Sequence, residues 1–147
     1  MERVTIATVE ELRAFAERVT KDISASKGEG ATILALTGEL GAGKTTFTQT
    51  LAHTLGVTEM VTSPTFVVMK RYPTTSARFE TLVHVDLYRI DDISELVPLR
   101  FQEELSNPKN LVIVEWPERA PGVIPMTAVP ISFSVGEGTS RTITYGR

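Results

Sequence analysis

Residues 38 to 45 read Gly38-Glu39-Leu40-Gly41-Ala42-Gly43-Lys44-Thr45, the full spacing G-x-x-x-x-G-K-[ST]. The apolar run Ala31-Thr32-Ile33-Leu34-Ala35-Leu36 leads into it, and a stretch with Phe47, Leu51 and Leu55 at i, i+4 and i+8 follows. Buried strand, glycine-rich loop and amphipathic helix in that order make a phosphate cradle, because the helix N-terminus completes the anion hole. A backbone that wraps a polyphosphate must turn successive N–H groups inward through dihedrals that a Cβ forbids, hence Gly38, Gly41 and Gly43. Lys44 supplies a point charge to the β and γ phosphates and Thr45 a hydroxyl to Mg²⁺. Gly41, Ala42, Gly43, Lys44, Thr45 and Thr46 are therefore the expected triphosphate contacts. The competing reading, a glycine-rich turn that happens to hold a lysine, does not account for the flanking elements.

Size and charge bound what such a loop serves. A chain of 147 residues suits one domain spanning 1–147 with a single ordinary core. The formal net charge of −3 gives no broad basic field for holding nucleic acid unaided. There is no cysteine, which removes disulfides, thiolate metal sites and a thiol nucleophile. No apolar run approaches the ~18 residues of a membrane span, and no charged-then-apolar leader opens the chain, so the expected setting is the cytoplasm.

Working outward from the loop, a short strand near Val4 to Ile6 is followed by Thr8 and Glu11 at capping-box spacing. Leu12, Phe15, Ala16, Val19 and Ile23 then line one helical face, and Lys27-Gly28-Glu29-Gly30 ends it. Gly56 reads as the C-cap of the helix after the loop, and Thr65 to Tyr72 as strand. Leu82 to Val85 and Leu111 to Val114 are near-continuous apolar runs of the kind found in parallel strands covered on both faces. Ile93 to Leu105 reads as helix interrupted by Pro98. Ala128 to Val135 and Arg141 to Tyr145 form a hairpin through Gly136-Glu137-Gly138. The expected fold is α/β: a three-layer sandwich of the P-loop NTPase kind, its central sheet mainly parallel and flanked by helices, with an antiparallel C-terminal hairpin.

Each of the two apolar runs ends in an acid, Asp86 and Glu115. A carboxylate at the C-terminal end of a strand beside the loop is what steadies Mg²⁺ in such sites. One of the two would hold the ion, directly or through water, and the other complete its coordination or polarise the attacking water. A lone acid there would more simply be a cap or turn residue. Period-two alternation puts His84 and Asp86 on one face, so His84 either orients Asp86 or is a satisfied buried histidine. Trp116 either stacks near the nucleotide or plugs the core. Lys70 and Arg71 read as a solvated strand end more readily than as an RNA contact.

In order and spacing, Gly38 to Thr46, Ser63-Pro64-Thr65-Phe66, His84-Val85-Asp86-Leu87-Tyr88-Arg89 and Glu115-Trp116 resemble the bacterial TsaE (YjeE) family of tRNA threonylcarbamoyladenosine biosynthesis. The likeness spans nearly the whole chain. It implies an Mg²⁺-dependent ATPase, weak alone, that works with TsaD and TsaB on the adenosine beside the anticodon, touching tRNA through that complex. By the same resemblance Lys44 and Thr45 bind phosphate and Mg²⁺, Glu115 ligates the metal, and Asp86 is required for activity. Ser63 to Phe66 is similar to the family's switch, with Thr65 sensing the γ-phosphate and Mg²⁺, and Arg141 is similar to a nucleotide contact. The chain departs from the pattern at Leu96-Val97-Pro98-Leu99, where a frequent glycine is missing and a proline is added.

Other classes fit parts of the same pattern. A small-molecule or nucleoside kinase would share the loop, but no arginine-rich lid or acceptor region stands out. A non-catalytic nucleotide-binding scaffold would leave Asp86 and Glu115 structural. A GTPase lacks its [NT]-K-x-D segment, since Thr20-Lys21-Asp22 is one residue out of register.

Overall fold

The computed structural model of the chain describes residues 1–26, 28–64 and 67–146. Ten elements matter to the argument: β1 (Glu2–Ile6), α1 (Val9–Ala25), β2 (Thr32–Gly38), α2 (Lys44–Thr54), β3 (Met69–Pro73), β4 (Thr81–Asp86), α3 (Phe101–Ser106), β5 (Asn110–Glu115), β6 (Val129–Val135) and β7 (Arg141–Tyr145). The strands form a seven-stranded sheet in the order β1-β7-β6-β2-β5-β4-β3. β6, β2, β5 and β4 run parallel, while β3 and the β7–β1 pair extend the two sides antiparallel.

Alternation along the central strands sorts their side chains onto two covered faces. On one, Phe15, Ala16, Val19 and Ile23 of α1 and Phe47, Leu51 and Ala52 of α2 pack over Leu34, Leu36, Leu111, Ile113 and Ile131. On the other, Leu87, Ile90, Leu96, Phe101 and Leu105 cover Ile33, Val83, Val85, Val112 and Val114. Each fully buried Phe, Leu, Ile or Val contributes about 1.5–3 kcal/mol, which is why β5, buried at all its positions, shows an unbroken apolar run rather than alternation. The expected mainly parallel sandwich with its β6–β7 hairpin is the architecture found.

Caps and breakers fall close to their expected places. The Glu11 amide donates to Thr8 Oγ1 at 3.1 Å, and Glu11 Oε1 accepts from the Ala7 amide at 3.2 Å, one residue before the usual capping-box donor. Gly56 follows the end of α2 at φ 81°. The 93–105 segment splits into a 3-10 turn, Ile93–Leu96, and α3, with Pro98 and the left-handed Arg100 (φ 56°) between them. One boundary differs: β3 begins at Met69, not 65. Thr65 and Phe66 lie outside the described residues, and the amides of Val67 (3.1 Å) and Val68 (2.6 Å) donate to the Pro64 carbonyl in place of a strand neighbour, despite their β-branched side chains. Among the described residues no helix is long and apolar enough to cross a membrane.

Candidate functional site

The loop expected to cradle phosphate leaves the C-terminal end of β2 and enters α2. Gly38 stands at φ 140°, against β6: a Cβ there would run into the Phe133 carbonyl oxygen, so glycine is required by both conformation and space. Gly43 is the N-cap of α2 at φ 107°, with no side chain capping the first amides of the helix. Those amides, with the positive end of the helix dipole, stand where the sequence pattern expects a phosphate to bind. Arg141, from the start of β7, donates to the Gly41 carbonyl at 3.4 Å and ties the loop to the hairpin.

Lys44 begins α2 and is 5% exposed. Its ammonium donates to the Gly38 carbonyl and lies 3.9 Å from the centre of the Trp116 ring. Burial pushes its pKa below the ordinary lysine value, and the carboxylates of Glu115, Glu118 and Asp86 oppose that shift. The charge is thus held by a carbonyl dipole and an aromatic face in place of water.

The two acids stand side by side, Asp86 in register with Glu115 on adjacent parallel strands. Their tethers differ. Glu115 receives His84 Nε2 at 2.6 Å on Oε2, and Thr45 Oγ1 lies 3.4 Å from Oε1 and 3.5 Å from Oε2. Asp86 accepts the Tyr88 amide on Oδ1 at 2.9 Å and Ser63 Oγ on Oδ2 at 3.2 Å, and its own amide donates to the Val68 carbonyl at 2.8 Å. Of the two readings of His84, the one that made it orient Asp86 is not found: its Nε2 meets Glu115. The two β4 side chains do share a face, but they sit about 6.6 Å apart along the strand, and the imidazole reaches its diagonal neighbour on β5 instead.

Trp116 turns the chain at φ 58°, its amide donating to the Leu36 carbonyl at 3.3 Å. Its ring contacts both the Lys44 ammonium and the Tyr88 ring, the two ring centroids 5.0 Å apart. The arrangement encloses a cavity of about 360 Å³ lined by Gly41, Gly43, Lys44, Thr45, Thr46, Asp86, Glu115 and Trp116. A second cavity of about 250 Å³ shares Gly41, Gly43 and Thr46 with it and adds Ala42 and Arg141. Thr65, expected to sense the γ-phosphate, lies outside the described residues. Tyr88 and Arg89 also line the larger cavity without having been assigned a contact. Their place two and three residues after Asp86, just past a strand end, was the available signal.

Chemically, the site offers a protonated amine, unsatisfied helix amides, a hydroxyl and carboxylate oxygens: hard donors suited to phosphate and to an oxygen-loving cation. Among the described residues no three His, Asp or Glu side chains gather closely enough to hold an ion by themselves. A cation here would have to draw further oxygens from phosphate and water, which matches how Mg²⁺ is bound in phosphoryl sites.

Comparison with known proteins bears on what the cavity serves. The sequence model of the family described as "Threonylcarbamoyl adenosine biosynthesis protein TsaE" matches residues 6–143. The tRNA threonylcarbamoyladenosine biosynthesis protein TsaE of Bacillus subtilis is 34% identical over 136 residues, covering 92% of this chain and 79% of that one. Its counterpart from Treponema pallidum is 35% identical over 116 residues, covering 79% and 82%. The crystal structure of YdiB from Bacillus subtilis superposes with a TM-score of 0.68 at 28% identity, over 98% of this chain and 84% of that one. With the match running from β1 into β7 and through every wall of the cavity, the chain belongs to the TsaE family.

Proposed function

We propose that this protein binds and hydrolyses ATP in the cytoplasm, with Mg²⁺, as the component that supports threonylcarbamoyl modification of the adenosine beside the anticodon in tRNA. It acts with TsaD and TsaB, meets tRNA through that complex, and does so as one P-loop ATPase domain. The observation that carries this reading is the convergence of Lys44, Thr45, Asp86 and Glu115 on one cavity at the mouth of α2.

In this reading the amides from Gly41 to Thr46 wrap the phosphates, and Lys44 exchanges the Gly38 carbonyl for the β and γ oxygens. Thr45 Oγ1 and Glu115 would hold Mg²⁺, which would supply positive charge to offset that of the phosphate oxygens. Asp86, already tied to Ser63, orients the attacking water and reports the γ-phosphate to the segment containing Thr65. Trp116 and Arg141 close the two ends of the nucleotide cleft. The formal net charge of −3 is consistent with tRNA being held by partners.

Calorimetric titration of ATP, paired with capture of TsaD and TsaB in ATP analogue, in ADP and without nucleotide, tests the reading. Expected are ATP binding lost in Lys44→Ala, hydrolysis that is slow alone and falls about 100-fold or more in Glu115→Ala with some binding kept, and partner capture that depends on nucleotide. Absence of ATP uptake by the wild-type chain, or nucleotide-independent capture with full-speed hydrolysis in isolation, overturns it.

A further inference from the structure

The main cavity is short of positive charge. Among the described residues that line it, the cations are Lys44 and Arg89 and the acids Asp86 and Glu115. Lys44 goes to the β and γ oxygens, so two carboxylates stand beside a group that is itself strongly negative. The demand for charge peaks in the transition state of phosphoryl transfer, where negative charge is spread over the equatorial oxygens of the transferring group. Arg89 is the remaining cation of the lining, and the triphosphate reading gives it no task.

Its place in the fold is well fixed. The turn after β4 is tied down at each step: the Leu87 amide donates to the Glu115 carbonyl at 3.1 Å, the Tyr88 amide to Asp86 Oδ1 at 2.9 Å, and the Ile90 amide to the Leu87 carbonyl at 3.2 Å. Leu87 and Ile90 are buried, whereas Arg89 is exposed and lines the cavity. Anchors on both sides thus hold the backbone from which its side chain leaves. The strand order sets β5 between β2 and β4, so Lys44, beyond β2, and Arg89, beyond β4, flank the end of β5 where Glu115 stands. Two strand spacings are ~10 Å, a gap that a phosphoryl group between two long cationic side chains fills.

We propose that Arg89 is a catalytic residue whose guanidinium meets the γ-phosphate oxygens across from Lys44 and offsets the charge that develops on them, an arginine supplied by the chain itself. This rests on the proposed reading of the cavity as an ATP site. In the step concerned, the oxygen of water bonds to the γ phosphorus and the bond from that phosphorus to the β–γ bridging oxygen breaks. ADP leaves with the electron pair, and the proton of the water ends on the released phosphate. Arg89 exchanges no proton, because a guanidinium stays charged throughout. Its planar fork fits two oxygens of one phosphoryl group. The turn that presents it is fastened to Asp86, so the acid proposed to orient the water also sets the arginine.

The test follows single-turnover hydrolysis of ATP in Mg²⁺ with protein in excess, and the Kd for ADP by calorimetry with and without fluoroaluminate, a mimic of the transferring phosphoryl group. It compares the wild-type chain with Arg89→Ala, Arg89→Lys and Arg119→Ala. Arg119 is the control: its guanidinium lies 5.7 Å from the centre of the Tyr88 ring, but it does not line the cavity. Arg89→Ala should hydrolyse ATP at least about 100-fold more slowly and lose the tightening of ADP by fluoroaluminate, with the Kd for ADP alone within about threefold of wild type. That retained affinity also reports a folded variant. Arg89→Lys keeps the charge without the fork and should fall between the two. Arg119→Ala should match the wild type in both measurements.

Wild-type hydrolysis and wild-type response to fluoroaluminate in Arg89→Ala overturn the proposal. So does a variant that loses ADP alone as steeply as it loses hydrolysis, which would make Arg89 a binding residue only. An isolated wild type that ignores fluoroaluminate and responds only once the partner proteins are added overturns it as well, since the arginine would then come from a partner. A wild-type chain that takes up no ATP overturns the underlying reading first, and that result is distinct from a wild type that binds and hydrolyses ATP while its Arg89 variants are unchanged.

Discussion

The two walls of the main cavity turn the backbone left-handed by different means. In the wall made by β2 and the loop into α2, glycines carry the positive φ angles, as at Gly38 and Gly43. On the facing side they fall on Trp116 (φ 58°) in the wall and on Val68 (φ 68°) behind Asp86, residues for which that region is disfavoured by roughly 1–2 kcal/mol, most of all for the β-branched valine. Glycine adopts its turn without help. Val68 and Trp116 are kept in theirs by neighbours, the Asp86 amide on the Val68 carbonyl at 2.8 Å and the Trp116 amide on the Leu36 carbonyl at 3.3 Å. One side needs no support for its turns; the other relies on those hydrogen bonds, and it adjoins the segment proposed to sense the γ-phosphate.

Substitutions graded by size would break or sharpen this contrast. Gly38→Ala should have the largest effect, because strain and collision with the Phe133 carbonyl combine: about 3 kcal/mol or more, a fall in Tm of about 6–12 °C by thermal unfolding. Gly43→Ala meets no neighbouring atom, so strain alone should remove about 1–2 kcal/mol. Equal losses at the two glycines would show that Phe133 does not press on the loop. On the opposite wall, Ser63→Ala removes the hydroxyl bonded to Asp86 and should lower stability by about 0.5–1.5 kcal/mol in a urea titration. Val68→Asn should change least, within about 0.5 kcal/mol of wild type, since asparagine accepts the left-handed turn and offsets the lost packing. A loss as large as that of Gly43→Ala would mean that Val68 is not strained, and the contrast between the walls would fall.

What could be read without coordinates divides along the same line. The strand, loop and helix from Ala31 to Leu55 are local patterns, each residue's role set by neighbours within a few positions, and they fold as the pattern dictates. The acids at Asp86 and Glu115 were legible because apolar runs end on them. Which acid His84 meets was not, because that depends on β4 lying beside β5 in one register, with His84 opposite Ile113. Nothing in the spacing from 84 to 115 encodes that neighbour. The start of β3 was misjudged for a related reason: Val67 and Val68 favour strand, and only the nearby Pro64 carbonyl, capturing both amides, overrides them. Trp116 lay between two readings, core plug and nucleotide stacker. Its contact with Lys44 arises from a left-handed turn that composition does not signal.

The sheet ends on β1 at one side and β3 at the other, and both margins are poor templates for a foreign strand. β1 shows Glu2 and Arg3 to solvent, with Glu2 bound to Arg18 at 2.6 Å. β3 carries Lys70 and Arg71, the latter bound to Glu104 at 2.8 Å, and finishes on Pro73, which has no amide to give. Charge and proline at these borders resist edge-to-edge recruitment, so the sheet limits its own width and the folded chain is guarded against aggregating through its margins.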